Sequence, residues 1–206
     1  MRVYSYVVAR DWGFAPNPFH GYCTLATCKR LIRKTAQVDD WVIGTGSATE
    51  GRAGHLVYAM RVTETMSFDE YWASKRFASK RPQLQGSRKQ QYGDNIYRSN
   101  PDGGWFQADS HHSFPEGQPN EENLVDDTGA PRVLISDDFA YWGGEGPAVP
   151  DHLRSFEGGM DLCHGGQGHR RNFPEEQVAA FVEWFRAYGD SGAIAPPRKW
   201  SRHSQS

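Results

Sequence analysis

Long apolar runs are missing from this chain of 206 residues, of which only 37% are hydrophobic. No stretch approaches the ~20 apolar residues that a membrane-spanning helix needs, so no membrane partner is expected. Residues 1–20 carry Arg2, Arg10 and Asp11 and lack an apolar core. No secretory leader is read there, and a cytoplasmic location is expected. Cysteine is scarce: Cys23, Cys28 and Cys163 are an odd number without CxxC spacing. That excludes a disulfide framework and points to reduced thiols. Excess positive charge is also absent, with a net charge of -2 and a pI near 6.4. Broad duplex binding through phosphate neutralisation normally requires a basic protein.

What is present is rings, turns and segregated charge. Aromatics reach 13%, and each ring buries enough area for a polar chain to fold. With 22 Gly and 12 Pro, loops occupy much of the length. Lys75, Arg76, Lys80, Arg81, Arg88, Lys89 and Arg98 crowd one stretch interrupted by Asp94 alone, and the stretch from Glu116 to Glu145 is correspondingly acidic. Such asymmetry allows a local phosphate-contacting footprint through Lys75, Lys80, Arg81, Arg88 and Lys89, or two solvated loops that offset each other.

Arg2–Ala9, Asp40–Ser47 and His55–Thr63 are β-type runs. Between the first two lies Asp11-Trp-Gly-Phe-Ala-Pro-Asn-Pro-Phe-His20, whose prolines forbid a helix and stiffen a loop carrying Trp12, Phe14, Asn17, Phe19 and His20. Residues 24–37 form a short helix or turn-rich link. Ser67-Phe-Asp-Glu70 is a capping-box pattern opening a helix to about Ala78. Residues 81–131 read as a polar, loop-rich insertion, with one hairpin expected across Ser99–Gly104. Arg132–Ser136 is a strand stopped by Asp137-Asp138. Glu175–Tyr188, with Pro174 before it and Gly189 after it, is the clearest helix. The segment 195–206 is expected to be a flexible tail.

For chemistry, a flat heterocycle needs ring faces and a few directional hydrogen bonds. Trp12, Asn17, Phe19 and His20 offer these, with Trp41 as either cage wall or core ring, and Gly46 and Ser47 let backbone approach a ligand. Cys163, His164, His169 and His111 suit zinc chemically, yet CxxC, HExxH and deaminase signatures are all missing, so no metal or cofactor is expected. Gly165–Gly168 with Arg170 and Arg171 lacks the lysine and spacing of a P-loop. Asp126-Asp127 and Asp137-Asp138 suit either Mg²⁺ or surface turns. Cys23 and Cys163 have histidines near in sequence (His20, His164), which does not establish contact. No catalytic residue is assigned, and the roles of His111, His112, His164 and His169 stay open.

Residues 1–78 resemble an EVE-type domain of the PUA-like superfamily, through Tyr4–Val8, Asp40-Trp-Val-Ile-Gly-Thr-Gly-Ser47, His55–Glu64 and Phe68-Asp-Glu-Tyr-Trp72. Over most of its length the chain resembles a bacterial family, the nucleotide-modification-associated domain of the second type. The matching segments are Gly13-Phe-Ala-Pro-Asn-Pro-Phe19, Trp41–Ser47, Gly93-Asp-Asn-Ile-Tyr97 and Gly168-His-Arg-Arg-Asn-Phe173. The resemblances imply one α+β domain over 1–206, a small PUA-like β-barrel with flanking helices. They also imply a module that holds a nucleotide or a modified base, with DNA expected ahead of RNA. An enzyme that alters the base is the alternative, supported by the polar elaboration after residue 80. A protein-interaction domain is a third reading, and oligomeric state is not legible.

Overall fold

The computed structural model describes residues 1–156 and 159–203. In chain order its strands are β1 (Val3–Val8), β2 (Cys23–Leu25), β3 (Trp41–Gly46), β4 (Leu56–Arg61), β5 (Glu64–Ser67), β6 (Tyr97–Ser99), β7 (Trp105–Gln107), β8 (Arg132–Ser136), β9 (Asp138–Tyr141), β10 (His169–Arg170) and β11 (Gly192–Ala193). The α-helices are α1 (Arg30–Thr35), α2 (Phe68–Ala73), α3 (Arg88–Gln91), α4 (Glu121–Thr128), α5 (Asp151–Arg154) and α6 (Glu175–Tyr188). Contacts divide the chain into two compact units, each assembled from separated segments.

The first unit comprises Met1–Asp11, Ala36–Val62 and the chain from Asp137 on. Its sheet runs β10-β1-β3-β4-β9-β11. β1 and β3 pair in parallel, from Val3 opposite Trp41 to Val8 opposite Gly46. Both are buried nearly throughout, as the continuous apolar composition of such a pair requires. Gly44 is obligatory here, because a Cβ would lie 2.4 Å from the Tyr58 ring and 2.6 Å from Val8. Helix α6 lays Val178, Phe181 and Phe185 into a core with Val3, Trp41 and Ile43, and Phe185 meets the Trp41 ring edge-on at 5.0 Å. Its end is set by Gly189 at φ 80°.

The second unit comprises Trp12–Thr35 and Thr63–Ser136. Three antiparallel strands, β2-β8-β5, pack against α2 around Phe14, Phe68, Tyr71, Phe77, Ile96, Tyr97, Val133 and Ile135. The Ser67–Glu70 capping box forms as the spacing indicates, but α2 stops at Ala73 and continues as a 3₁₀ turn over Lys75–Lys80. The 81–131 segment is more ordered than its polarity suggests: it holds α3, the β6–β7 hairpin and α4.

The architecture is mixed α+β, and the expected closed barrel is corrected. Strands β10 and β11, two residues each, are the free ends of an open six-stranded sheet, and among the described residues no pairing joins them. The tail read as flexible from 195 forms a 3₁₀ turn at Arg198–His203, with Arg198 and Lys199 on Glu50, and its last three residues lie outside the described residues. No helix among the described residues is long and apolar enough to cross a membrane.

Candidate active site

The chemistry gathers in the second unit, where the chain leaves β2 and turns into α1. Cys28 and Lys29 hold φ of 55° and 40°, a left-handed conformation that side chains ordinarily avoid. Two sets of bonds hold the turn there. The Cys28 N–H donates to Asp127 Oδ1, and Arg33 Nε donates to the Cys28 carbonyl at 2.8 Å. Strain that is fixed from several sides is a common property of functional turns.

From this turn the Cys28 Sγ lies 3.5 Å from His112 Nε2, and His112 Nδ1 lies 2.8 Å from Asp127 Oδ2. A thiol, an imidazole and a carboxylate therefore stand in one hydrogen-bond series. Asp127, near the end of α4, is buried and also accepts the Tyr97 hydroxyl at 2.9 Å. Tyr97 in turn accepts Gln107 Nε2 at 3.0 Å. The imidazole is fixed from behind: Asn123 and Gln107 donate to the His112 carbonyl, and Phe14 packs on the ring at 4.7 Å. Arg33, fully buried, spends its donors on the carbonyls of Cys28, Asp127, Ala130 and Arg132 and stands 3.6 Å from the Asp127 carboxylate.

These neighbours set the electrostatics. Burial alone would lower the His112 imidazole, but hydrogen bonds to Asp127 and Cys28 outweigh it and raise the group to about 9. At neutral pH the ring is therefore chiefly the imidazolium, whose Nε2–H faces sulfur and can be given to a leaving group. Burial and the Asp127 charge push the Tyr97 hydroxyl up, so it remains a donor to the carboxylate. By contrast Cys163 is raised to about 12 by burial and Cys23, fully buried, is raised further. Neither is poised as a nucleophile.

Among the described residues, Cys28, His112 and Asp127 also form the set that brings three metal-ligating groups within 4.8 Å of one another. The donor set fits an ion poorly. Asp127 already receives the Cys28 N–H, the Tyr97 hydroxyl and the His112 Nδ1–H, which leaves Sγ and Nε2 facing each other. Two ligands fall short of the three or four that zinc takes from protein.

The residues singled out from the sequence scatter. Trp12 stacks on Tyr92 (centroids 5.6 Å, planes 12° apart) and approaches His111 at 5.8 Å. Asn17 is fully buried. Its amide donates to the Tyr92 carbonyl, and its oxygen accepts Lys80 Nζ at 2.6 Å, so its edge is turned to the protein. Phe19 is buried and His20 exposed. Trp41, Gly46 and Ser47 belong to the first unit. Trp41 is a core ring, while Gly46 and Ser47 line a cavity of about 20 Å³ with Glu50, Arg52, Arg198 and Lys199, room for a water-sized occupant. Lys80, grouped with the phosphate-facing bases, is corrected to an interior position: all three donors are taken by the Asn17 carbonyl and side chain and the Tyr22 carbonyl. Lys75, Arg88 and Lys89 are exposed, and Arg81 lies over the Trp72 ring at 4.5 Å. Cys163, His164 and His169 lie in the first unit and His111 in the second.

Sequence reasoning missed Cys28 and Asp127 as partners of His112 because 84 and 99 positions separate Cys28 from them. A buried acid next to Asp126, which pairs with Arg30 at the surface, had no local mark to distinguish it.

Fold and site thus define a mixed α+β protein carrying a cysteine–histidine–aspartate series. Residues 1–204 match the family described as nucleotide modification associated domain 2 (Nmad2), and the chain belongs to it, as its motifs indicated. No curated protein and no solved structure matches the chain. Membership associates the protein with nucleotide modification and so with a nucleotide or nucleic acid.

Proposed function

We propose that this protein is a thiol enzyme of nucleotide modification, with Cys28 as nucleophile, His112 as proton carrier and Asp127 as the group that orients it. One observation carries the reading: the His112 ring bridges Cys28 Sγ at 3.5 Å and a buried carboxylate at 2.8 Å. Nucleophile, base and orienter are the minimum set for covalent catalysis, and they are recognised by this geometry on any fold. The Cys28 sulfur, paired with the imidazolium that already carries the proton on Nε2, attacks an electrophilic carbon of the nucleotide. The imidazolium then protonates the departing nitrogen or oxygen. Water, activated by the same imidazole, releases the product and restores the thiol. The exposed Lys75, Arg88 and Lys89 supply contacts to a flanking phosphate backbone, with DNA as the polymer ahead of RNA. Base holding, the first expectation from the sequence, becomes the substrate-positioning half of this activity.

Iodoacetamide labelling with peptide mapping tests the reading on the full chain. Cys28 is expected to label first, and His112→Ala to slow it at least tenfold. Incubation with nucleotides and oligonucleotides should trap a mass adduct on Cys28 that Cys28→Ser abolishes. Equal labelling rates in wild type and His112→Ala, or stoichiometric zinc lost from Cys28→Ala, would overturn it.

A further inference from the structure

Beside the thiol site the second unit carries an open depression of about 270 Å³ lined by Leu84, Gln91, Tyr92, Ser110 and His111. The sequence offered His111 only as a zinc candidate, yet the walls of the depression present rings. Tyr92 is half-buried and His111 exposed, with centroids 5.3 Å apart and planes at 62°. Both are braced from behind. Trp12 stacks on Tyr92, and Phe14 meets His111 edge-on at 5.3 Å. The bracing reaches the interior: Lys80 Nζ holds Asn17, and Asn17 Nδ2 holds the Tyr92 carbonyl at 2.9 Å. Burial among these groups pushes the Lys80 ammonium down to about 8.

The rim is polar where the walls are flat. Gln91 and His111 bring hydrogen-bonding edges, and the Ser110 hydroxyl accepts the His112 N–H at 3.2 Å. That bond ties the floor of the depression to the backbone of the proton carrier. One helical turn before Tyr92 stands the exposed Arg88, whose carbonyl accepts the Tyr92 N–H at 3.1 Å. A cation one turn from a ring wall matches a phosphate attached to a stacked base.

We infer that this depression seats one nucleobase of a nucleoside monophosphate, free or flipped from a strand, against Tyr92 and His111 with its phosphate toward Arg88. The inference rests on the thiol reading for its purpose but not for its test. Calorimetric titration of the Cys28→Ser chain with the deoxynucleoside monophosphates should show saturable binding of at least one of them. His111→Ala should weaken that binding roughly tenfold to a hundredfold, the range for loss of one stacking face. Arg88→Gln should weaken the monophosphate and leave the nucleoside unchanged. Gln91→Ala, which keeps both rings, should narrow discrimination among bases. Absence of binding by any monophosphate, or binding indifferent to His111→Ala and Arg88→Gln alike, overturns the seat. The thiol reading survives that result if His112-dependent labelling of Cys28 persists. Binding that persists when labelling is His112-independent upholds the seat and removes the thiol reading instead.

Discussion

Replacing Asp127 by Asn keeps the shape of the buried side chain and removes its charge. With its oxygen at the Oδ1 position the amide keeps the Cys28 N–H; its nitrogen then stands at the Oδ2 position shared by Tyr97 and His112, where it can donate to the Tyr97 oxygen but cannot accept the His112 Nδ1–H. Arg33 keeps its four carbonyl acceptors, so the turn stays formed at a loss of about 1.5–3 kcal/mol for one charge-assisted bond. The chief effect falls on the imidazole. His112 is held near 9 against an ordinary 6.5, and without the carboxylate the largest influence left is burial, which lowers it. A fall to 6.5 reduces the protonated-to-neutral ratio at any fixed pH roughly 300-fold, about 3 kcal/mol of imidazolium stabilisation. At pH 8 the ring passes from about nine-tenths protonated to a few per cent. Two-dimensional NMR titration of the ring measures this directly, and the pH profile of Cys28 alkylation should follow it downward. If the His112 midpoint stays near 9 in Asp127→Asn, the carboxylate does not hold the proton and the series is only a packing contact.

The raised His112 value also predicts pH-dependent stability. A base whose folded value exceeds its unfolded one contributes fully below about 6.5 and loses that contribution as pH climbs through about 9, so denaturation midpoints should fall across that window and flatten there in His112→Asn. Lys80→Met strands the Asn17 and Tyr22 carbonyls and leaves buried Asp94 without its cation. A loss of about 3–5 kcal/mol is expected by urea unfolding, partly restored by adding Asp94→Asn. Gly143→Ala forces a Cβ to 2.2 Å from the Pro196 carbonyl at φ 55°. About 1–3 kcal/mol should be lost, with proteolysis rising in the segment after Pro196.

The elements with local signatures were legible in the sequence. Apolar runs marked β1, β3 and β4, the Ser67–Glu70 spacing marked the start of α2, and Pro174 with Gly189 bracketed α6. Strand β9 was hidden because Asp137-Asp138 reads as a stop. In the fold Asp138 begins the strand, its charge met by Arg61 at 2.7 Å and Arg186 at 2.6 Å. Helix α4 was hidden by its polarity: Asn120 caps it, but its outer face is acidic and only Asp127 among its residues is buried. The barrel failed because strand order along a chain does not reveal partners, and β5 and β2 each take β8 instead of joining β1. For the site the same limit applied. The aromatic loop was read as non-helical, and it is, but which of its rings point inward depends on Lys80 and Tyr92, more than sixty positions away.

The division into units carries a consequence for how the molecule comes into being. Its first unit is interrupted twice, by residues 12–35 and 63–136, so the polypeptide passes between units four times. Strand β4 must wait for β9, and β1 for β10, before either sheet edge is covered. On the ribosome, therefore, the half bearing Cys28 and His112 has all its parts once Ser136 emerges, while its companion still lacks everything from Asp137 on, the larger part of its residues. Connectivity alone rules out excision of either unit by a single cut, because each is assembled from separated stretches of chain.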